Sequence, residues 1–255
     1  MFRTNGIART PALAAALIAS LVVAACGGSG EADKSPAQIL QDVAAAVKGV
    51  TSFHLSGNVT SSGMQYSLDL HVAGPQNLEG SVTIGGVKAN LALVDGTAYV
   101  QGGQFIAQFA GQQAASLVGD SWVKLPADSA SNLSMSFSTF TDTSKLGACL
   151  MSLPSTSLSK STSTVNGQAA VVLTSGGDSL SVATNGPAYP LQLSGSGNNS
   201  TLSNSQCSNS SSGSSSSGSG SGSINFDGWG STVSVTPPPN PVDLSSVSGA
   251  PSPTP

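Results

Sequence analysis

Beyond residue 25 this chain has no arginine. Its only two, Arg3 and Arg9, sit near the N-terminus, and in the remainder six lysines face all twelve acidic residues, a formal charge near −6. Without arginine there is no bidentate fork for phosphate or carboxylate ligands. Without a basic patch there is no electrostatic footprint for nucleic acid or for anionic lipid, so no nucleic-acid partner is expected. Charged residues of all kinds make up only 8% of the chain. Its polar surface must therefore come from Ser, Thr, Asn, Gln and Gly.

Chemistry-bearing residues are equally scarce. Serine is abundant, yet no Gly-x-Ser-x-Gly elbow lies between a strand and a helix, and Ser194-Gly195-Ser196-Gly197 reads as low-complexity loop. Gly85-Gly86 and Gly102-Gly103 read as turns, and no Walker-type phosphate loop is present. Only two histidines occur, His54 and His71. Both fall on the polar-parity side of adjacent predicted strands, with Asp69 on the same face as His71. A short turn between those strands would bring the imidazoles near each other. Two histidines without cysteine or carboxylate at ligand spacing are a weak metal signal, and the reading is two solvent-facing side chains. No catalytic residue, metal or cofactor is nominated, and the chain is expected not to be an enzyme.

The N-terminus is more informative. Arg3 and Arg9 precede fourteen apolar or small residues from Ala12 to Ala25, a run too short to span a bilayer as a permanent helix. It ends on Val23-Ala24-Ala25-Cys26, which resembles the lipobox of bacterial lipoproteins. The resemblance implies cleavage after a signal peptide of residues 1–25, a diacylglycerol on Cys26, and a domain held on the extracytoplasmic face of the cell membrane. Residues 26–34 read as a flexible tether, whose last eight residues reach at most about 28 Å. With Cys26 assigned to lipid, Cys149 and Cys207 remain as a pair for an oxidising compartment. A bridge between them would close a loop of about 58 residues and stabilise by roughly 4 kcal/mol on the chain-entropy model. The alternative is two free thiols.

Ser35-Pro36-Ala37-Gln38 opens a helix, with Ser35 as cap, Pro36 in the first turn and Gln38 completing a capping box. Ile39, Leu40, Val43 and Val47 form its single apolar stripe. From Phe53 onward short alternating runs predict hairpins: 53–59, 66–72, 80–84, 87–93 and 97–100, with Gly85-Gly86 and Asp95-Gly96 in the turns. Gln104 to Leu117 suits a second helix, weakened by Gly111. Ser121–Leu125 is another strand, 126–153 gives a poor signal, and Thr143–Leu150 suggests a third helix carrying Cys149. Strands resume over 169–173, 179–183 and 189–193, where Pro190 points to an edge or a bulge. Residues 208–223, almost pure Ser and Gly, read as a flexible loop inside one domain spanning 35–245. Two final strands, at Ile224–Phe226 and Thr232–Val235, are expected to return to the main sheet. Residues 246–255 form a disordered, Pro-rich tail.

About ten strands thus share one apolar face, and two or three short helices are available to cover it. The fold class is mainly β (α+β): a curved antiparallel sheet, or half-barrel, with helices on its concave face. Such a sheet can close, stack or curl around an apolar ligand. In the last case Phe105, Ile106, Phe109, Leu117 and Trp122 are the candidates to line the cavity.

Several segments resemble the actinobacterial LppX/LprAFG lipoproteins. They are the first helix through Thr51–Gly57, Leu93-Val94-Asp95-Gly96-Thr97-Ala98-Tyr99-Val100, Gly119–Leu125, Val165–Leu173 and Ala183–Leu191. The resemblance covers most of residues 36–245 in order. It implies a LolA/LolB-like half-barrel with a hydrophobic cavity for acyl chains, and a lipid or lipoglycan as ligand. The competing expectation is a structural or interaction lipoprotein of the cell envelope without a cavity.

Overall fold

The computed structural model describes residues 30–61, 63–151, 153, 157–197 and 220–244. Cys26, Cys207, residues 208–219 of the Ser/Gly tract and the tail over 246–255 lie outside them. The described residues open with a single 3-10 turn, Glu31–Asp33, and then enter α1, Pro36–Val47. Both halves of the capping box are made: Ser35 Oγ accepts from the Gln38 amide at 3.3 Å, and Gln38 Oε1 accepts from the Ser35 amide at 3.0 Å. The buried stripe is Ile39, Leu40, Val43 and Val47.

A meander follows: β1 Ser52–Ser61, β2 Met64–Ala73, β3 Leu78–Ile84, β4 Val87–Val94 and β5 Thr97–Gln101. Next come α2 (Gly103–Val118), the short β6 (Val123–Lys124), α3 (Ala127–Thr141) and α4 (Thr143–Met151). Then β7 (Ser159–Val165), β8 (Gln168–Ser175), β9 (Asp178–Ala183), β10 (Pro190–Gly197), β11 (Gly220–Asp227) and β12 (Val242–Asp243) complete the described elements. All twelve described strands join one open, curved sheet in the order β12-β6-β5-β4-β3-β2-β1-β11-β10-β9-β8-β7. Every pairing is antiparallel except β12 with β6. Asp95-Gly96 and Asn166-Gly167 turn two of the hairpins with all four residues at φ between 48° and 80°, the left-handed pair that matches strand twist.

The chain therefore leaves the middle of the sheet at β1 and reaches one edge at β6. It crosses the apolar face as α3 and α4 and returns from the other edge to β11, beside β1. The core lies between that face and the helices. Phe53, Leu55, Leu70, Leu91, Leu93, Leu173, Leu180 and Phe226 from the sheet meet Ile39, Val43, Leu146 and Leu150 from α1 and α4. Alternation explains the division, since odd positions of β1 and even ones of β2 point to the same face.

Four expectations change, and the structure decides between the two alternatives for Pro190. Ala127–Thr141 form a regular helix, α3, although seven of its fifteen residues are Ser or Thr and its propensity is poor. Packing of Leu133, Phe137 and Phe140 against the core replaces propensity. The Ser/Gly tract does not remain loop to residue 223: Gly220–Ser223 already belong to β11, paired with β1 on one side and β10 on the other. Backbone pairing on both edges and the buried Ile224 and Phe226 hold this weak strand former in place. Thr232–Val235 is not a strand, because the sheet positions it was expected to fill are already taken. It runs as an extended strap along the face away from the helices, where Val235 packs on Ala92, Val94 and Tyr99. Pro190 sits in an interior strand, where the register slips between Pro190 and Gln192, so the bulge, not the edge, is the outcome.

The tether is also shorter than expected. Glu31–Lys34 dock on the domain: Glu31 is buried, Lys34 Nζ bridges Glu31 (2.7 Å) and Asp42 (2.8 Å). Lys160 Nζ donates to the carbonyls of Ala32 (2.6 Å) and Lys34 (2.7 Å). Four residues, 27–30, then separate Cys26 from docked chain, a reach of about 14 Å at most.

Candidate functional site

The helix-covered face and the opposite face offer different chemistry. The five cavity candidates were expected to converge, and the structure separates the four whose side chains it describes. Phe105 is half-buried against the main core, whereas Ile106 belongs to a separate cluster with Ala115, Val118 and Val123 between α2 and β6. Leu117 is 67% exposed. Trp122 lies on the other face of the sheet, against Ala92, Val94 and Tyr99. The Phe109 side chain lies outside the described residues. Gly111, with φ 86° and ψ 162°, breaks α2 into two segments, so the stripe that carries Phe105 does not continue to Leu117. Cys149 is buried on α4.

The polar face carries a continuous rung of cross-strand partners. It runs Asp227, His54, His71, Glu79, Ala92, Tyr99, Lys124, Asp243, one residue each from β11, β1, β2, β3, β4, β5, β6 and β12. The strap over 228–241 runs from β11 to β12 on this side. It is pinned at one end by the Gly230 amide donating to Ser52 O (2.8 Å) and at the other by the Val242 amide donating to Trp122 O (2.7 Å). Between strap and sheet lies an open groove of about 510 Å³, lined by Asp69, His71, Glu79, Ser81, Asn90 and Trp122 below and Thr236–Pro239 above.

At one end of this groove the two histidines meet. Their rings stack with centroids 4.4 Å apart and planes 24° from parallel. His54 Nε2 lies 2.9 Å from Asp69 Oδ1, and His54 Nδ1 lies 3.0 Å from Asp227 Oδ1. Partial burial disfavours charge on His54, but hydrogen bonds to Asp69 and Asp227 outweigh it and hold the imidazole pKa above its ordinary value. Ligand-capable atoms of His54, Asp69 and His71 all lie within 4.8 Å of one another. The proximity of the histidines and Asp69 was legible from strand parity. Asp227 was not singled out, although its alternation with Phe226 places it on the polar face, because nothing local says that β11 lies beside β1.

This architecture defines the class: an α+β protein built on one open, curved, mainly antiparallel sheet with helices on its apolar face. It is the fold of the LppX/LprF-type lipoproteins. The structure is similar to that of LprF from Mycobacterium bovis over 79% of this chain and 96% of that one, at 17% identity and a TM-score of 0.53. The Mycobacterium tuberculosis lipoprotein LppX aligns over 78% of this chain and 97% of that one, at 17% identity and a TM-score of 0.45. No protein-family model matches the chain. No curated protein matches it either. Among the described residues, no helix is long and apolar enough to cross a membrane.

Proposed function

We propose that this chain is a membrane-anchored extracytoplasmic lipoprotein that takes up an apolar ligand, a lipid or lipoglycan acyl chain, between its sheet and its helices, without transforming it chemically. The anchor is the diacylglycerol on Cys26, and the close docking of Glu31–Lys34 keeps the domain against the membrane face. The observation that carries the ligand reading is the uneven helical cover. α1 buries Ile39, Leu40, Val43 and Val47 and α4 buries Leu146, Cys149 and Leu150, and of their large apolar side chains only Met151, at the end of α4, is exposed. By contrast, Phe105 on α2 and Leu133, Phe137 and Phe140 on α3 are only half-buried, and Met135 is 54% exposed. Acyl chains would enter by displacing these helices, each buried methylene contributing about 0.8 kcal/mol. The fold shared with LprF supports this reading at the level of architecture.

Native mass spectrometry of the full chain purified from a lipid-containing host tests it. A retained lipid that is lost in Phe137→Ser is the expected result. A lipid-free protein that also gains no stability from added diacyl lipid would rule the carrier reading out. A second reading, an interaction lipoprotein of the envelope, is favoured by the closely packed interior beneath α1 and α4. Cross-linking in intact cells to one protein or wall polymer, with no bound lipid, would support it instead.

A further inference from the structure

The polar rung offers chemistry that a lipid-binding face does not use. We propose that His54, Asp69 and His71 form a site for a divalent cation of the zinc class, with Asp227 as its outer partner and its open position facing the groove under the strap.

Donor type comes first. Two imidazole nitrogens and one carboxylate oxygen suit Zn²⁺ and its borderline neighbours, not Mg²⁺ or Ca²⁺, which take oxygen ligands. Spacing comes second. Metal–ligand bonds of about 2.0–2.1 Å set tetrahedral ligand atoms about 3.4 Å apart. The 2.9 Å separation of His54 Nε2 and Asp69 Oδ1 is already close to that edge. All three donors lie within 4.8 Å, and His71 and Asp69 are exposed.

The third argument concerns His54 itself. Carboxylate oxygens lie at hydrogen-bond distance from both of its nitrogens. The imidazolium satisfies both, but once His54 has lost its proton the neutral ring carries one N–H and satisfies only one of them. If Nδ1–H donates to Asp227, the Nε2 lone pair faces the lone pairs of Asp69 Oδ1. A cation between Nε2 and Asp69 removes that mismatch and leaves Asp227 orienting the ring through the other nitrogen, the carboxylate–histidine–metal arrangement of known zinc sites. Nothing in the core needs a histidine here: the site lies on the face away from the helices.

Three protein ligands leave one position for water or an incoming group. Asp69 and His71 line the groove floor and Glu79, the cross-strand partner of His71, stands beside them. The open position therefore faces the groove and not the sheet. A bound cation would offset the acidic charge of Asp69, Glu79 and Asp227 and would admit an anionic group.

The test uses the full chain, chelator-treated and free of any polyhistidine tag, titrated with ZnCl₂ by calorimetry near neutral pH. One saturable equivalent is expected. His71→Ala and Asp69→Asn should each weaken it at least about tenfold, and Asp227→Asn by a smaller factor, through loss of ring orientation. Ring resonances of the wild-type protein provide a readout that needs no variant. The chain has only two histidines, and both must shift with the first equivalent of Zn²⁺ and not with Mg²⁺. Absence of saturable binding overturns the proposal. So does binding that survives both single substitutions, or binding that leaves the two histidine resonances unmoved. Lipid retention is read separately, so failure here leaves the carrier reading standing.

Discussion

His54 and His71 are cross-strand partners on β1 and β2, and their rings stack face to face at 4.4 Å. Only His54 is clasped by carboxylates, Asp69 on one nitrogen and Asp227 on the other. The two rings are neighbours with unequal electrostatic support.

The clasp predicts a raised titration midpoint for His54 in metal-free protein. His54 is held above the ordinary histidine pKa of about 6.5, its partial burial being outweighed by the two carboxylates. A raised folded-state pKa means that the stabilisation is fully present below about pH 6.5 and disappears as pH rises through the folded value. Ring NMR in the presence of chelator should show His54 titrating above 6.5, and Asp227→Asn should lower its midpoint. A His54 midpoint at or below 6.5 would contradict the clasp.

The sheet's apolar face is locked at one end by an aromatic stack. Phe53 lies 4.7 Å from Trp229 and 6.4 Å from Phe226, and Trp229 stacks on Tyr189 at 5.2 Å while its Nε1 donates to Pro190 O. Phe53→Ala should cost about 3–5 kcal/mol. Urea unfolding followed by tryptophan fluorescence measures it, and a loss under about 1 kcal/mol would show that the stack is dispensable.

Gly80 of β3 has φ 150°, and a Cβ there would lie 2.0 Å from Asp69 O. Gly57 of β1 has no room either, since its Cβ would meet Ser223 O at 2.1 Å. Gly57→Ala should therefore destabilise the β1–β11 pairing although alanine is otherwise the better ordered residue. The midpoint of thermal unfolding should fall further in Gly57→Ala than in Gly63→Ala, where a Cβ meets nothing within 4 Å and only the positive φ is strained.

The capping box at α1 is a local device with a local price. Ser35→Ala removes the acceptor for the Gln38 amide and should lower stability by about 1 kcal/mol. Ser35→Asp should retain most of it, and equal losses in the two variants would mean that the cap contributes nothing.

Docking of the N-terminal turn depends on one distant lysine. Lys160 reaches back 126 and 128 residues to the carbonyls of Lys34 and Ala32. Lys160→Ala should speed tryptic cleavage after Lys34 without shifting the global unfolding midpoint. Unchanged cleavage would place the hold on the turn with Lys34, Glu31 and Asp42 instead.

Much of this was legible in the sequence because it is local. The α1 cap, the two-residue turns and the apolar parity of each strand follow from neighbouring residues alone. The His54–His71 meeting does too: a tight turn closing Ser61 against Met64 sets every pairing along β1 and β2, so strand parity and turn length suffice. What the tertiary structure decided is non-local. β11 contains four residues of Gly and Ser before Ile224 and has little propensity of its own. It is a strand because β1 and β10 offer it unpaired backbone on both sides. That pairing brings Asp227 to His54, 173 residues away, and fixes where the strap begins. α3 is a helix despite its serines because half-buried Leu133, Phe137 and Phe140 find the sheet. The four described cavity candidates scattered for non-local reasons too: Gly111 breaks α2 ahead of Leu117, and Trp122 lies on the face of the sheet opposite the core that Phe105 packs on. Local chemistry chose the elements, and competition for backbone partners and apolar cover chose their neighbours.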